Sequence, residues 1–185
     1  MTPYRLINGR IVPRPGGELD FTGYVTDGGD GVVIILKGAS RSMIDAASKI
    51  VIRKKDDKRP LPNRMHVFVR DPIERLQSVY KFFRAHPPIE GREERGKMLY
   101  SDFIDAVLAG AKNAHWRPVT ETLSHFAESD VVVHLFENLA EEFPLGKLAK
   151  KNASKPVEQE IDLTYREAEL KTFYAGDYQL RRTAK

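Results

Sequence analysis

Cysteine does not occur among the 185 residues, which excludes a disulfide framework, a thiolate nucleophile and a cysteine-ligated zinc. The five histidines are scattered and lack a zinc-binding spacing, so no metal is expected. No apolar run approaches the length needed to span a bilayer, and Met1-Thr2-Pro3-Tyr4-Arg5 lacks the apolar core of a signal peptide. Together these absences lead to the expectation of a cytoplasmic protein with no membrane insertion. Charge of one sign is not in large excess either: 30 Lys and Arg against 26 Asp and Glu leave a net +4, spread along the chain. That balance suits an anionic ligand and gives no ground to expect nucleic acid. What the chain does have is 41% hydrophobic and 30% charged residues over a length that supports one core, so residues 1–185 are taken as a single domain.

Residues 1–30 have the character of a β-rich, glycine-punctuated extension. Asn8-Gly9 between Tyr4-Arg5-Leu6-Ile7 and Arg10-Ile11-Val12 predicts a hairpin, and Asp27-Gly28-Gly29-Asp30-Gly31 a turn. From residue 32 the pattern changes to alternating strand and helix. Val32 to Leu36 is a continuous apolar run, as expected for a strand covered on both faces, and Ser42 to Ile50 reads as the helix that follows. Val67-Phe68-Val69-Arg70 is a second strand, and the next helix announces its start: Asp71 can cap, Pro72 suits the first helical position, and Glu74 completes a capping-box spacing. Leu76, Tyr80 and Phe83 recur along that helix, while Ser78 and Phe82 fall on another face. Ser101 to Ala111 and Pro118 to Phe126 predict helices, and Val131 to Phe136 a third strand with a helix soon after it. Thr164 with Glu167 predicts the cap of a C-terminal helix carrying Tyr165, Leu170, Phe173 and Tyr174. The mixed-charge run Arg53 to Pro60, and the stretch from Pro87-Pro88 through Glu90 to Lys97, are expected to be loops. Three strands alternating with helices imply an α/β fold in which a small parallel sheet is flanked by helices on both faces, with its core over residues 32–180.

The turns after the first two strands carry the chemistry. In Leu36-Lys37-Gly38-Ala39-Ser40-Arg41-Ser42, Gly38 and Ala39 let the backbone approach an anion, Ser40 and Ser42 offer hydroxyls, and Lys37 offers a positive charge. In a nucleoside-triphosphate loop the lysine follows the glycines beside a magnesium-binding Ser or Thr; here the lysine comes first, which argues against a nucleotide kinase-like enzyme. A strand followed by a serine-capped helix explains the segment equally well in isolation. In the second turn, the Arg70 guanidinium can fork onto phosphate oxygens while Ser78 supplies a hydroxyl, and unpaired amides and the helix dipole converge there. The competing reading of Arg70 is an ion pair with Asp71 or Glu74. Gly91 to Lys97 also matches the triphosphate-loop spacing, but Met98 replaces the hydroxyl residue, prolines stand where a strand should be, and glutamates fill its interior, so it is expected to be surface loop. The other two turns lie at the carboxyl edge of the expected parallel sheet, where open α/β folds bind ligands, so one ligand with two phosphate-type groups could bridge them.

Paired in this way, the Lys37-to-Ser42 segment and Arg70-Asp71-Pro72 with Arg75, Ser78, Tyr80 and Phe83 resemble the two cofactor signatures of the sulfotransferases, most closely carbohydrate sulfotransferases of the Golgi type and their bacterial or viral relatives. His115-Trp116-Arg117-Pro118, Phe136-Glu137-Asn138-Leu139, and Leu163-Thr164 with Phe173 to Tyr178 resemble further segments of that group in the same order, so the resemblance covers residues 32–180. It implies a P-loop-like three-layer fold and the donor 3′-phosphoadenosine 5′-phosphosulfate, which leaves as the bisphosphate. It also implies an acceptor hydroxyl on a small molecule or saccharide. Carried onto this chain, it implies that Lys37, the amides of Gly38, Ala39, Ser40, Arg41 and Ser42, and the two serine hydroxyls hold the 5′-phosphosulfate. Arg70 and Ser78 would hold the 3′-phosphate. Lys150, Lys151 and Asn152 fall where a loop covers the nucleotide in the family. Asn152-Ala153-Ser154 also matches a glycosylation sequon, which without a secretion signal is expected to be a plain turn.

Sulfuryl transfer requires positioning, a base, and stabilisation of charge at the bridging oxygen, and Lys37 with the first helix N-terminus suits the last of these. In the relatives a His or Glu between the two motifs commonly serves as base. Here that interval is short and offers Asp45, Asp56, Asp57 and His66, of which His66 begins a strand and is expected to be structural. His115, outside the interval, is the candidate base because imidazole titrates near neutrality; a histidine bonded to backbone is the competing reading. Trp116 fits a stacking platform and a core residue equally well, whereas Tyr165, Phe173 and Tyr174 fit helix packing. The expected function is therefore a sulfotransferase, and the alternative is a catalytically silent nucleotide- or polyanion-binding module on the same fold.

Overall fold

A computed structural model describes residues 4–7, 10–13, 22–36, 40–53, 58–85, 99–110, 113–148, 161–162 and 164–184. β1 (Tyr4–Ile7) pairs antiparallel with β2 (Arg10–Pro13), with Ile7 opposite Arg10, as the expected hairpin requires, while Asn8-Gly9 lie outside the described residues. A separate five-stranded sheet contains β3 (Thr22–Thr26), β4 (Gly31–Val33), β5 (Lys49–Arg53), β6 (Arg64–Val69) and β7 (Asp130–Leu135), in the spatial order β5-β3-β4-β6-β7. Strands β4, β6 and β7 are mutually parallel, as the strand–helix alternation implied. Because β3 runs antiparallel to both β4 and β5, the sheet is mixed rather than wholly parallel.

Two of these strands depart from the sequence reading. Strand β3 comes from the stretch taken as an extension, so the sheet begins at Thr22. Its apolar pattern is interrupted by Gly23, where a Cβ would stand 3.2 Å from the Val51 carbonyl oxygen, and glycine there lets β5 approach. The helix expected over Ser42 to Ile50 is instead the short α1 (Ser40–Ala46), after which the chain turns into edge strand β5. Ile50-Val51-Ile52 is a β-branched run that packs better on a pleated surface than in a helical turn.

The remaining helices are α2 (Pro72–Ala85), α3 (Tyr100–Leu108), α4 (Val119–Leu123), α5 (Leu139–Glu142), α6 (Glu167–Phe173) and α7 (Ala175–Arg182), with single 3₁₀ turns at Ser124–Phe126 and Phe136–Asn138. The C-terminal helix expected as one element is two, divided at Tyr174. Thr164 does not cap it: the Thr164 amide and hydroxyl both donate to Asp162 Oδ1, at 2.9 and 2.7 Å, and Arg166, at φ 51°, precedes the helix.

The strand period of two sorts the core. Met65, Val67 and Val69 of β6 join Val33, Val119 and Phe126 beneath α4, with Leu180 of α7 packed against them. Phe68 faces the other way and packs with Val32, Met43 of α1, and Leu139 and Phe143 around α5. A third cluster, built on Leu76, Tyr80, Phe103, Ile104 and Leu170, joins α2, α3 and α6. Helices thus cover both faces of the sheet in three layers. Among the described residues no helix is long and apolar enough to cross a membrane.

Candidate anion-binding site

Strands β4 and β6 are adjacent and parallel, with Gly31 opposite Met65 and Val32 opposite His66, so the chain leaves both at the same edge. Ile34-Ile35-Leu36 leads out of β4, Lys37, Gly38 and Ala39 lie outside the described residues, and α1 begins at Ser40. Ser40 is half-buried and Ser42 buried; for Arg41 the backbone belongs to α1 and the side chain lies outside the description. The first turn of α1 holds no acidic residue, so an anion there meets no like charge from that turn.

Arg70 follows β6 at this edge. Its Nε donates to Glu74 Oε2 at 3.3 Å, and its guanidinium lies over the Phe136 ring at 5.3 Å from the centroid. The ion pair weighed against phosphate binding therefore forms, and with Glu74 more than half exposed it is of the weak class that a phosphate can displace. Asp71 Oδ1 accepts the amides of Ile73 and Glu74, at 2.9 and 3.1 Å, which is the cap expected from the sequence. That cap corrects the picture of open amides at the start of α2: the chain's own carboxylate already engages them, and Arg70 is the group at this turn suited to an external anion. Ser78 is half-buried and sits one helical turn beyond Glu74, on the same face as the residue Arg70 reaches.

Arg181 of α7 closes this edge from the C-terminal side. It donates to the Val69 carbonyl at 2.7 Å and to Glu137 Oε1 at 3.2 Å. For Glu137, burial is the largest influence and opposes ionisation, but its own backbone amide, Arg181 and Arg70 outweigh it and hold the carboxyl below the ordinary glutamate range. Among the described residues the edge thus carries the guanidinium groups of Arg70 and Arg181 and the carboxylates of Asp71, Glu74 and Glu137.

The candidate base lies in the turn before α4. The His115 amide donates to Asn113 Oδ1 at 2.9 Å, and His115 Nδ1 lies 2.8 Å from the same oxygen. Because that oxygen only accepts, the proton is assigned to Nδ1, and Nε2 is the basic nitrogen of the neutral ring. The ring stacks on Phe82 of α2, with centroids 6.1 Å apart. Trp116, half-buried, meets Phe103 edge-on at 5.5 Å and packs against the α2–α3–α6 cluster. Asp45 is exposed on α1, whereas Asp56, Asp57, Gly91 to Met98, Lys150, Lys151 and Asn152 lie outside the described residues.

Two polar clusters were not foreseen from the sequence. Arg75 and Asp177, at 2% and 1% exposure, approach to 3.6 Å between Nη2 and Oδ2. Arg75 Nη2 also donates to the Arg117 carbonyl at 2.8 Å, and its guanidinium lies 5.6 Å from the Tyr174 ring centroid. Asp177 accepts the amides of Val119 and Thr120, at 2.9 and 3.0 Å. The second cluster is a chain of side chains. Asp30 Oδ2 meets His66 Nε2 at 3.2 Å, His66 Nδ1 meets His134 Nε2 at 2.8 Å, and His134 Nδ1 meets Glu142 Oε2. Asn138 Nδ2 donates to the other Glu142 oxygen at 2.8 Å. The signal available in the sequence was a histidine interrupting each of two apolar strands, Met65-His66-Val67 and Val133-His134-Leu135.

Comparison of the chain with known protein families, with curated proteins and with solved structures finds no match.

Proposed function

We propose that the chain is a cytoplasmic sulfotransferase with a P-loop-like fold that uses 3′-phosphoadenosine 5′-phosphosulfate and sulfates a hydroxyl, with a saccharide as the acceptor class. The observation that carries this reading is the parallel pairing of β4 with β6, which brings the segment leading into α1 and the Arg70 turn to one edge of the sheet. The residues fit the donor: a Gly-Ala turn flanked by a lysine and serines, no acid in the first turn of α1, and an arginine held by a displaceable carboxylate.

When bound, the donor supplies a sulfuryl group whose bond to the nucleotide phosphate breaks as the acceptor oxygen takes it. Lys37, the amides from Gly38 to Ser42, and the Ser40 and Ser42 hydroxyls hold the 5′ end, and Lys37 stabilises charge developing on the phosphate oxygen. Arg70 exchanges Glu74 for the 3′-phosphate, with Ser78 as a second donor. His115 accepts the acceptor's proton at Nε2 while Asn113 holds Nδ1–H, the orientation a general base requires.

The test is calorimetric titration of 3′-phosphoadenosine 5′-phosphate and of ADP into the wild type, Lys37→Ala and Arg70→Ala. The bisphosphate is expected to bind at least about tenfold tighter than ADP, and Arg70→Ala to erase that preference by weakening the bisphosphate about 10- to 100-fold. Equal affinities for the two nucleotides in the wild type would sink the proposal. The alternative is a catalytically silent binding module, and transfer of labelled sulfate to an acceptor panel, abolished in His115→Ala, separates the two readings.

A further inference from the structure

We propose that His66 and His134 form an acid-sensitive latch between β6 and β7, closed while their facing nitrogens share one proton and forced open when both rings are protonated. The two side chains are diagonal neighbours on one face of the sheet, since the register sets His66 opposite Val132 and Phe68 opposite His134. The rings are within 20° of parallel with centroids 5.1 Å apart, a separation that brings His66 Nδ1 and His134 Nε2 to 2.8 Å only when the two nitrogens point at each other. Both side chains are 12% exposed, so the contact is made with little water around it.

A contact between two ring nitrogens needs one to donate and the other to accept, so it holds a single proton. When both rings are imidazolium, every ring nitrogen carries a hydrogen, two N–H groups face each other, and two like charges meet in a poorly solvated place. The carboxylates lie on the outer sides of the pair, with Asp30 Oδ2 3.2 Å from His66 Nε2 and Glu142 Oε2 beside His134 Nδ1, so each charged ring can leave the other and keep an anionic partner. Among the described residues these two are the charged partners of the pair. The other elements on this face present apolar groups: Val32 of β4, Met43 of α1, Leu139 of α5 and Phe143 just beyond it. Parting the rings loosens β7, an edge strand whose one described strand neighbour is β6. From His134 the chain passes through Leu135 into the 3₁₀ turn where Phe136 meets the Arg70 guanidinium and Glu137 receives Arg181. Asn138 of that turn donates to the same Glu142 that holds His134. The latch therefore acts on the Arg70 turn without touching it, and its opening weakens the grip on the 3′-phosphate, a consequence that alone rests on the sulfotransferase reading.

The test follows the imidazole nitrogens of the full chain by NMR from about pH 8 to about pH 5, together with hydrogen-exchange protection of the β7 and Phe136–Asn138 amides. The two rings are expected to take up protons as a coupled pair, the second proton entering as those amides lose protection. Rings that titrate independently, or amides equally protected once both rings are charged, would overturn the latch. His66→Gln, whose amide can still meet His134 and does not titrate, is expected to keep the same protection across the range; a loss on acidification matching that of the wild type would equally overturn it. Affinity for 3′-phosphoadenosine 5′-phosphate is expected to fall at least about fivefold more in the wild type than in His66→Gln between about pH 7.5 and about pH 5.5, the comparison cancelling the protonation of the nucleotide itself. An equal fall in both proteins would overturn the link to Arg70, whereas no binding at either pH would sink the sulfotransferase reading and leave the latch to the exchange data.

Discussion

At the end of the imidazole chain, Glu142 owes its charge to its neighbours: the His134 hydrogen bond first, and then that of Asn138, hold its carboxyl below the ordinary glutamate value of 4.5. A carboxylate with a lower pKa folded than unfolded contributes stability that is fully present above the unfolded value and is lost as pH falls through the folded one. Wild type is therefore expected to melt above Glu142→Gln near neutrality, with the gap closing as pH falls below 4.5. Thermal unfolding of both proteins between about pH 7 and about pH 3 checks this, and a gap that stays constant would show that the contribution of Glu142 is packing rather than charge. Phe68 stacks on His134 at 4.7 Å between ring centroids, so the imidazole pair is embedded in the apolar face and does not reach toward the strand edge where the donor is proposed to bind. His66, expected from the sequence to be structural, is the inner member of that chain of side chains on β6. Its partner could not be named, because His66 and His134 meet only through the parallel register of β6 on β7, 68 positions apart.

Among the elements, α2 is the one whose beginning was written most legibly. A helix cap is a local event, complete within one turn, and Asp71, Pro72 and the apolar stripe that follows contain all of it. Asp71→Ala is expected to cost about 1 kcal/mol, within a range of about 0.5–2, and to lower Tm by about 2–4 °C. Asp71→Asn, whose side-chain oxygen can still accept the Ile73 and Glu74 amides, is expected to retain most of that stability. An alanine variant that melts with the wild type would show that the bond at 2.9 Å to Ile73 is energetically idle. The elements that were misread are those whose form depends on distant partners. Strand β5 exists because β3 offers it a ladder from Thr22–Arg53 to Thr26–Lys49, and nothing within Ser42 to Ile50 announces that ladder. The C-terminal helix breaks at Tyr174 because that side chain is buried and its hydroxyl donates to the Trp116 carbonyl, 58 positions away.

On the scale of the whole molecule, the α7 segment joins layers that the chain order leaves apart. Arg181 fastens it to the end of β6, and Asp177 fastens it to the start of α4 and to Arg75 of α2. The residues around the candidate site are thus held from behind by a helix near the end of the described chain. The sequence showed only a Gly-Asp pair in a tyrosine-rich stretch, since a single acidic residue says nothing about which amides it will meet. Asp177→Ala removes one member of a buried ion pair and three hydrogen bonds at once, from the Val119 and Thr120 amides and the Thr120 hydroxyl, leaving Arg75 charged at 2% exposure and the first amides of α4 open. Breaking such a pair costs about 3–5 kcal/mol, so Tm is expected to fall by at least about 6 °C. Asp177→Asn keeps an oxygen for α4 and loses only the charge, so its Tm is expected to lie between the two. If the asparagine variant melts with the alanine variant, charge compensation of Arg75 dominates; if it melts with the wild type, capping of α4 does. An alanine variant as stable as the wild type would mean that α7 does not organise the strand edge, and that Arg70 and the turn into α1 are positioned by the sheet alone.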